Sequence, residues 1–392
     1  MSGGVDSSVA AVLLLEKFPD ADIVGVTMRL WSASDDKYRP GGCCSLEDIS
    51  DAARVSRSLG IKHYVFNYED IFKEKVAEPF LKDYLKGLTP NPCVVCNEEL
   101  KFGVLVSRAR ALGFDYVATG HYARIAAISV SPGVRHFLIK KAVDEKKDQS
   151  YFLWRVPQSV LPGVIFPVGD YSKEEIRRIA SEAKLPVARK RESHDVCFVP
   201  GDYRKFVSSY INSVKKSSDS EGKFPSRDVN SGGEIVDKNG RVLGRHDGIY
   251  NFTVGQRSGL GVSSAERLYV IKIEPQSCRI VVGKREDALV KNFRVRDWIL
   301  HAPYDKLFAG KKSDGQKGKV FDVKIRYHTP SYKAIVRRGD SDEVVRGGRE
   351  KKFFLEVEIK EGAVFGVTPG QSAVFYDVSK GVVAGGGIIS AD

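Results

Sequence analysis

Met1-Ser2-Gly3-Gly4-Val5-Asp6-Ser7-Ser8 runs straight into the apolar helical series Val9, Val12, Leu13 and Leu14. The order is a short turn feeding a helix N-terminus. Gly3 and Gly4 let the backbone turn tightly and approach a ligand closely. The first N–H groups of the helix have no intrahelical acceptor, and the helix dipole favours negative charge there. Ser2, Ser7 and Ser8 add hydroxyl donors, so the stretch is suited to hold phosphate. No Lys follows the glycines, which separates it from a Walker A loop. A Gly/Ser turn before a helix also serves as plain connection, so phosphate binding needs support from the rest of the chain.

The octapeptide resembles the pyrophosphatase-type loop of the PP-loop enzymes, which cleave ATP between the α and β phosphates and adenylylate a substrate. Such a loop ordinarily follows the central strand of an α/β sheet, at its carboxyl end. Only Met1 precedes it here, and the expectation is a natural start further upstream, together with any targeting peptide.

The 392 residues suffice for two or three domains, each with a core of its own. No apolar run approaches the ~20 residues of a membrane span, so no membrane partner is expected. The formal net charge of +12 suggests a polyanionic partner. Its basic residues lie in blocks: Lys140-Lys141, Lys146-Lys147, Arg189-Lys190-Arg191, Lys311-Lys312, Arg337-Arg338 and Arg349 to Lys352. Blocks spread over the whole length suit a long phosphate backbone. Six cysteines are too few for a disulfide scaffold. Their pairing as Cys43-Cys44 and Cys93-Val-Val-Cys96 suggests a reducing compartment, and a cytoplasmic location is expected, organellar if a targeting peptide precedes the chain.

Over roughly the first 120 residues strand and helix patterns alternate, as a parallel α/β sheet requires. Ile23 to Leu30 reads as a strand, and Ser45-Leu-Glu-Asp48 as a capping box opening a helix that stops at Gly60. A short strand at Tyr64-Val65-Phe66 precedes an amphipathic helix from Ile71 to Leu85. Residues 87–97 form a Pro-punctuated loop before a helix to Leu112, closed by Gly113. Tyr116 to Thr119 is a strand ending in Gly120-His121, and a second capping box, Ser172-Lys-Glu-Glu175, starts a helix to Ala183. The Ser/Lys/Gly-rich stretch 212–232 reads as a flexible insertion. Beyond it come only short strands with Gly-rich turns, an all-β, barrel-like pattern.

Cys93 and Cys96 sit between Pro92 and Asn97, in a loop leading into a helix. A zinc ribbon needs a second CxxC or a His pair, and the sequence has neither at proper spacing. A thioredoxin-like role wants a different surrounding pattern. A nucleophilic thiol near a helix N-terminus, where thiolate is favoured, and a partial metal site both stay open. Cys197, in His194-Asp-Val-Cys-Phe198, begins another apolar run, where a lone Cys also serves as a small buried hydrophobe. Cys43, Cys44 and Cys278 read as structural.

Eight stretches taken together closely resemble the tRNA-specific 2-thiouridylases: SGGVDSS (2–8), GLTPNPCVVCNEELKF (87–102), ATGHYAR (118–124), KDQSYFLW (147–154), FPVGDYSK (166–173), SHDVCF (193–198), TVGQRSGLG (253–261) and TPGQSAVFY (368–376). They follow the family's order and cover nearly the whole chain. The resemblance implies an α/β fold class: a Rossmann-like parallel sheet in a PP-loop ATP-binding and catalytic domain (1–205), then a small central domain (206–290) and a tRNA-contacting C-terminal all-β barrel (291–392).

It also implies a reaction in two halves. The C2 oxygen of a wobble uridine attacks the α-phosphate of Mg2+-bound ATP, releasing pyrophosphate; a persulfide sulfur then attacks C2 and AMP departs. By motif position Cys96 is the nucleophile and Cys197 the persulfide carrier, loaded by an upstream sulfur-donor protein. Met1, Ser2, Gly3, Gly4, Val5, Asp6 and Ser7 match the phosphate loop, and Met28 and Gly120 the adenosine-contacting positions. Asn91, Pro92, Cys93, Lys147, Asp148, Gln149, Arg326 and Tyr327 match positions that touch tRNA, while His121 and Gln371 match further recognition residues. A flipped-out loop base is the usual target of sequence-specific RNA recognition.

Many members carry Asp where this chain has Cys93, and that Asp is a candidate general base; a thiol is a poorer one near neutral pH. Alternatively Cys93, Cys96 and Cys197 hold an iron–sulfur cluster with one iron left open, three thiolates being one short of full coordination. Two rival readings stand beside the thiolation reading. One is another PP-loop adenylylating enzyme, such as an amidotransferase-type synthetase or a tRNA lysidine synthetase, which needs no Cys96/Cys197 pair. The other is a tRNA-binding chain without catalysis.

Overall fold

The structure is a computed structural model describing residues 1–31, 46–191, 196–199, 201–216, 232–308, 318–345 and 348–391. Cys43, Cys44, Ser45, His194, Lys311-Lys312 and residues 217–231 of the expected flexible stretch lie outside the described residues. The chain divides into two compact units. The first comprises Met1–Glu78, Pro92–Phe206 and Gly381–Val383; the second comprises Pro79–Asn91, Val207–Lys380 and Ala384–Asp392.

The first unit opens with α1 (Val5–Lys17), whose Val5, Val9 and Val12 recur at helical spacing and are buried. β1 (Val24–Arg29), α2 (Leu46–Ser58) and β2 (Lys62–Asn67) follow, and β1 pairs with β2 in parallel, Val24 opposite Lys62. The amphipathic helix expected from Ile71 is continuous but not uniform. α3 (Glu69–Phe72) passes through a π turn (Lys73–Ala77) into α4 (Glu78–Leu85), which from Pro79 onward is counted with the second unit.

Next come α5 (Pro92–Val95), a π segment (Cys96–Val104) and α6 (Leu105–Ala111). This corrects the loop read over 87–97: the helix begins at Pro92, so Cys93 and Cys96 lie on it. Proline lacks an N–H that the first helical position does not need, and its φ is pre-set for the helix.

β3 (Val117–Ala118) and β6 (Val164–Ile165) form a second parallel pair. Between them an antiparallel hairpin, β4 (Ala123–Ser131) and β5 (Val134–Lys141), is absent from the sequence reading although Pro132-Gly133 marks its turn. α7 (Lys173–Glu182) starts on the expected capping box, with Glu175 N donating to Ser172 Oγ and Ser172 N donating to Glu175 Oε2. Ile176 and Ala180 of α7 share one apolar cluster with Val5, Val9 and Val12 of α1, Tyr122 and Val168.

α8 (Tyr203–Lys216) corrects the start of the flexible stretch, since residues 212–216 are helical. Tyr203, Phe206, Val207 and Tyr210 recur at helical spacing and outweigh the polar composition that follows.

In the second unit β7 (Gly233–Asp237), β8 (Val242–His246), β9 (Tyr269–Glu274) and β10 (Arg279–Gly283) form a sheet in the order β8-β7-β10-β9, over a core that includes Ile235, Val270, Ile280 and Val282. β11 (Leu289–Val290) precedes β12 (Asn292–Leu300), β13 (Lys319–Lys324), β14 (Tyr332–Val345) and β15 (Gly348–Ile359). After β16 (Val364–Phe365) come β17 (Ser372–Tyr376) and β18 (Val383–Ile389). Six of these strands close a barrel in the order β12-β15-β14-β13-β17-β18. Along β15, Leu355, Val357 and Ile359 are buried while Glu356 between them is exposed, the alternation a filled barrel demands. Among the described residues no helix is long and apolar enough to cross a membrane.

Candidate active site

The loop ahead of α1 is enclosed by two close backbone approaches. Gly3 has φ +70°, and a Cβ on it would lie 2.3 Å from the carbonyl oxygen of Asp48 at the start of α2. A Cβ on Gly120 would lie 2.7 Å from Ser7 N and 2.8 Å from the Asp6 carbonyl carbon. Only glycine fits at either position. Gly4 is the N-cap of α1 and has no side chain to cap it, so the first-turn N–H groups are available to an anion. The hydroxyls hold the loop in shape: Ser2 N donates to Ser7 Oγ (3.1 Å), and Ser8 Oγ donates to Gly4 O (2.8 Å). Met1 is seated against β1, its amine donating to Val26 O and its carbonyl accepting from Thr27 Oγ1 at 2.7 Å. Met28 lies one residue further along β1, opposite Phe66.

Asp6, in the first turn of α1, gathers two partners from distant segments. Tyr122 OH donates to Asp6 Oδ1 (2.9 Å), and Lys173 Nζ donates to the same oxygen (2.6 Å). The Lys173 side chain is 11% exposed. Its own backbone N–H donates to Asp144 Oδ2 (3.0 Å), which fixes the first residue of α7. The sequence reading gives Tyr122 and Lys173 no role, although both stand inside motifs it quotes. The signal for Lys173 is a lysine directly after an N-cap serine, where the helix dipole disfavours a cation.

The cysteines flank this region in sequence. Cys96 is 6% exposed and opens the π segment, while Cys93, one turn earlier, is half-buried. Asn97 is buried and donates to Phe152 O (3.0 Å), which pins the helix just after Cys96. Cys197 is half-buried beside Phe198, whose ring packs on Phe72 (centroids 5.1 Å), Phe206 (5.7 Å) and Trp31 (6.0 Å). Upstream of it, Lys190 Nζ donates to Asp48 Oδ1 and Asp51 Oδ2, both at 2.6 Å. Burial opposes charge on this group, but the two aspartates outweigh it and raise the Lys190 pKa. Among the described residues no three His, Cys, Asp or Glu side chains are grouped around a position for a metal ion, so Cys93, Cys96 and Cys197 form no such group.

His121, three residues after the end of β3 and two after Thr119, is enclosed by aromatic rings, with Phe102 at 5.9 Å and Phe166 at 6.1 Å. Desolvation, then the charge of Lys101, hold its pKa well below the ordinary histidine value. The ring is therefore neutral near pH 7. Lys101 Nζ lies 3.4 Å from Nε2 and Thr119 Oγ1 lies 2.8 Å from Nδ1, so an ammonium donating to Nε2 puts the ring proton on Nδ1.

Asp148 is buried, and its carboxylate accepts from Ala142 N (3.0 Å), Ser150 N (3.2 Å) and Ser150 Oγ (2.8 Å). Gln149 Oε1 accepts from Tyr122 N (3.0 Å), and Lys147 N donates to Asp144 O (3.1 Å). These contacts shape the turn around Tyr122 and Asp144, next to the Asp6 network.

Asn91, Arg326, Tyr327 and Gln371 belong to the second unit. There Arg326 Nη2 donates to Val254 O (2.6 Å), Gly366 O (2.9 Å) and Thr368 Oγ1, tying two of the quoted motifs together. Tyr327 stacks edgewise on His328. Gln371 Nε2 donates to Thr89 O (2.8 Å), and Thr89 N donates to Pro369 O (2.9 Å), two bonds that hold the chain just ahead of Asn91.

Comparison with known proteins fits this arrangement. Residues 1–201 match a family profile described as tRNA methyl transferase HUP domain, residues 227–284 one described as tRNA methyl transferase PRC-barrel domain, and residues 304–389 one described as aminomethyltransferase beta-barrel domain. A tRNA-specific 2-thiouridylase MnmA of Acidobacterium capsulatum is 40% identical over 402 residues, covering 99% of this chain and 97% of that protein. A protein of the same name, MnmA 1, from Caldanaerobacter subterraneus subsp. tengcongensis is 41% identical, covering 99% and 96%. The corresponding Clostridioides difficile protein is 39% identical, again covering 99% and 96%.

Proposed function

The chain belongs to the tRNA-specific 2-thiouridylase family, and on that premise we propose a mechanism for its sulfur transfer to the C2 position of a tRNA uridine. The enzyme is an ATP-using tRNA-uridine 2-sulfurtransferase. The observation that carries the residue assignment is the glycine-enclosed loop before α1, with Asp6 at its centre.

In the first half-reaction Ser2, Gly3, Gly4 and Ser7 hold the ATP phosphates with backbone N–H and hydroxyl donors, and Met1, Val5, Met28 and Gly120 complete the nucleotide site. Mg2+ accompanies the nucleotide as its counter-ion. The uridine O2 attacks the α-phosphorus and pyrophosphate leaves. Adenylylation converts a poor leaving group into AMP.

In the second half-reaction the terminal sulfur of a Cys197 persulfide attacks C2, and AMP leaves with the former O2. The Cys96 thiolate then attacks Cys197 Sγ and breaks the sulfur–sulfur bond. The sulfur stays on C2, and a Cys96–Cys197 disulfide remains for an external thiol reductant to reopen. Cys96 lies about one turn beyond the helix start at Pro92. Cys197 receives its sulfur from a persulfide-carrying protein, in a reducing compartment such as the cytoplasm.

Asn91, Pro92, Cys93, Lys147, Asp148, Gln149, His121, Arg326, Tyr327 and Gln371 form the tRNA-facing set. For Asp148, Gln149, Arg326 and Gln371 the hydrogen bonds above support a role in shaping the turns that meet tRNA. The target is the wobble uridine. The division 1–205, 206–290 and 291–392 gives ATP chemistry to the first part and tRNA contact to the barrel.

The test is Asp6→Ala assayed for tRNA-dependent pyrophosphate release, with iron analysis of anaerobically purified protein alongside. Release is lost in the variant, and iron is absent from active wild-type protein. Unchanged release means that ATP binds elsewhere; stoichiometric iron in the active form returns the reaction to a cluster held by Cys93, Cys96 and Cys197.

A further inference from the structure

We infer that Lys190 is a positioning residue for sulfur transfer: by gripping Asp48 and Asp51 it fixes the chain leading to Cys197 against the helix that walls the loop before α1. The inference rests on the ATP reading of that loop and on Cys197 as the sulfur carrier. Its starting point is a demand of the two-step chemistry. The sulfur has to arrive at C2 of a uridine held beside the nucleotide, and a misplacement of about 1 Å can cost about 100-fold in rate.

Lys190 stands seven positions before Cys197. Its Nζ donates to Asp48 Oδ1 and Asp51 Oδ2, both at 2.6 Å, on the first two turns of α2. Asp48 presents its carboxylate to Lys190 and its backbone carbonyl to Gly3 of the loop. One residue therefore joins the ATP loop to the chain that leads to Cys197. The other side of Cys197 is anchored as well. Phe198 packs its ring on Trp31, which follows the strand β1 that carries Met28. Cys197 is thus flanked by two attachments to elements of the nucleotide site, α2 behind Gly3 and the end of β1 beyond Met28.

The plainer account is an ion pair that only secures α2. Two observations weigh against it. Val55 of α2 already shares one buried apolar cluster with Leu185 and Val187, just ahead of Lys190, and a largely buried ion pair adds little net stability once desolvation is counted. Arg54 also donates to Asp51 Oδ1, so Asp51 has a cation without Lys190. What Lys190 adds is the course of the chain after Val187. Its N–H donates to Val187 O (2.9 Å) and closes a turn, and its ammonium then bridges the two carboxylates.

The experiment is a single turnover of the full chain, pre-loaded as persulfide, with Mg-ATP and unmodified tRNA, for wild type, Lys190→Met and Lys190→Arg. Pyrophosphate and 2-thiouridine are timed in the same tube, so each half-reaction is read separately. In the methionine variant pyrophosphate release stays within about twofold of wild type, while 2-thiouridine appears about 10- to 100-fold more slowly, the scale of a misplaced reacting group. Arginine, whose fork can bridge two carboxylates, restores most of the rate. Equal slowing of both half-reactions, or of neither, overturns the inference, because a merely structural pair moves both alike. Should two unpaired aspartates keep the methionine variant from folding, Lys190→Met combined with Asp48→Asn and Asp51→Asn carries the same comparison. Formation of 2-thiouridine by Cys197→Ser overturns the sulfur-carrier reading, and the inference with it; that outcome is seen without any Lys190 variant and is therefore distinct.

Discussion

His121 shows how neighbours set the chemistry of a single side chain. Burial and the charge of Lys101 both disfavour its imidazolium, so its folded pKa lies well below the value of ~6.5 it recovers on unfolding. A group whose folded pKa is depressed in this way binds more protons when unfolded below pH 6.5. The stability associated with neutral His121 is complete above that pH and falls as pH drops from 6.5 toward the folded pKa, by up to about 1.4 kcal/mol per pH unit. His121→Gln removes this contribution. His63 and His246, whose pKa values burial also lowers, are left in place. Denaturant midpoints at pH 7.5 and 5.5 are expected to fall further for wild type than for the variant, and equal falls would contradict the enclosed neutral ring. At this scale the sequence disclosed residue types better than partnerships. Gly3 is legible because a tight turn ahead of a helix calls for glycine, whereas the close approach of Gly120 to Asp6 and Ser7 is not. Asp6 with Lys173, Lys190 with Asp48 and Asp51, and Gln371 with Thr89 are not legible, because each partner comes from a different part of the chain.

At the scale of elements, local chemistry read well wherever it was self-contained. The Ser172 box is an example: both of its hydrogen bonds form within four residues, and the helix starts where they place it. Ser172→Ala is expected to cost about 1 kcal/mol, as loss of an N-cap does, and to lower the thermal midpoint of the chain. An unchanged midpoint would mean that tertiary packing alone sets the start of α7. The α1, β1, α2, β2 series was legible for the same reason, with apolar periodicity and end signals agreeing. Reading failed where one strong signal hid another. Two prolines made 87–97 look like a loop, yet Pro92 begins the helix that carries Cys93 and Cys96. Ser and Lys made 212–216 look like linker, yet the apolar spacing from Tyr203 carries α8 to Lys216. The π segments were not legible, since i→i+5 pairing is a rare local variant inside a helix that the reading for 3.6-residue periodicity does not test.

For the whole molecule, the change from alternating α/β patterns to short strands was visible along the chain, and the barrel closes among the later strands. The barrel was expected from the short-strand pattern and the family resemblance, but its strand order was not legible, because it depends on β12 pairing with both β15 and β18, contacts distant in sequence. The same limit applies to Cys96 and Cys197, separated by 101 positions and joined in the account only by their chemistry. The most direct measurement is therefore a single turnover with the chain pre-loaded as persulfide, Mg-ATP and unmodified tRNA. Nucleoside mass spectrometry reads 2-thiouridine while pyrophosphate is followed in the same tube, for wild type, Cys96→Ser and Cys197→Ser. Wild type is expected to form 2-thiouridine, and both variants to release pyrophosphate without it. Formation of 2-thiouridine by either serine variant would contradict the persulfide relay between Cys197 and Cys96.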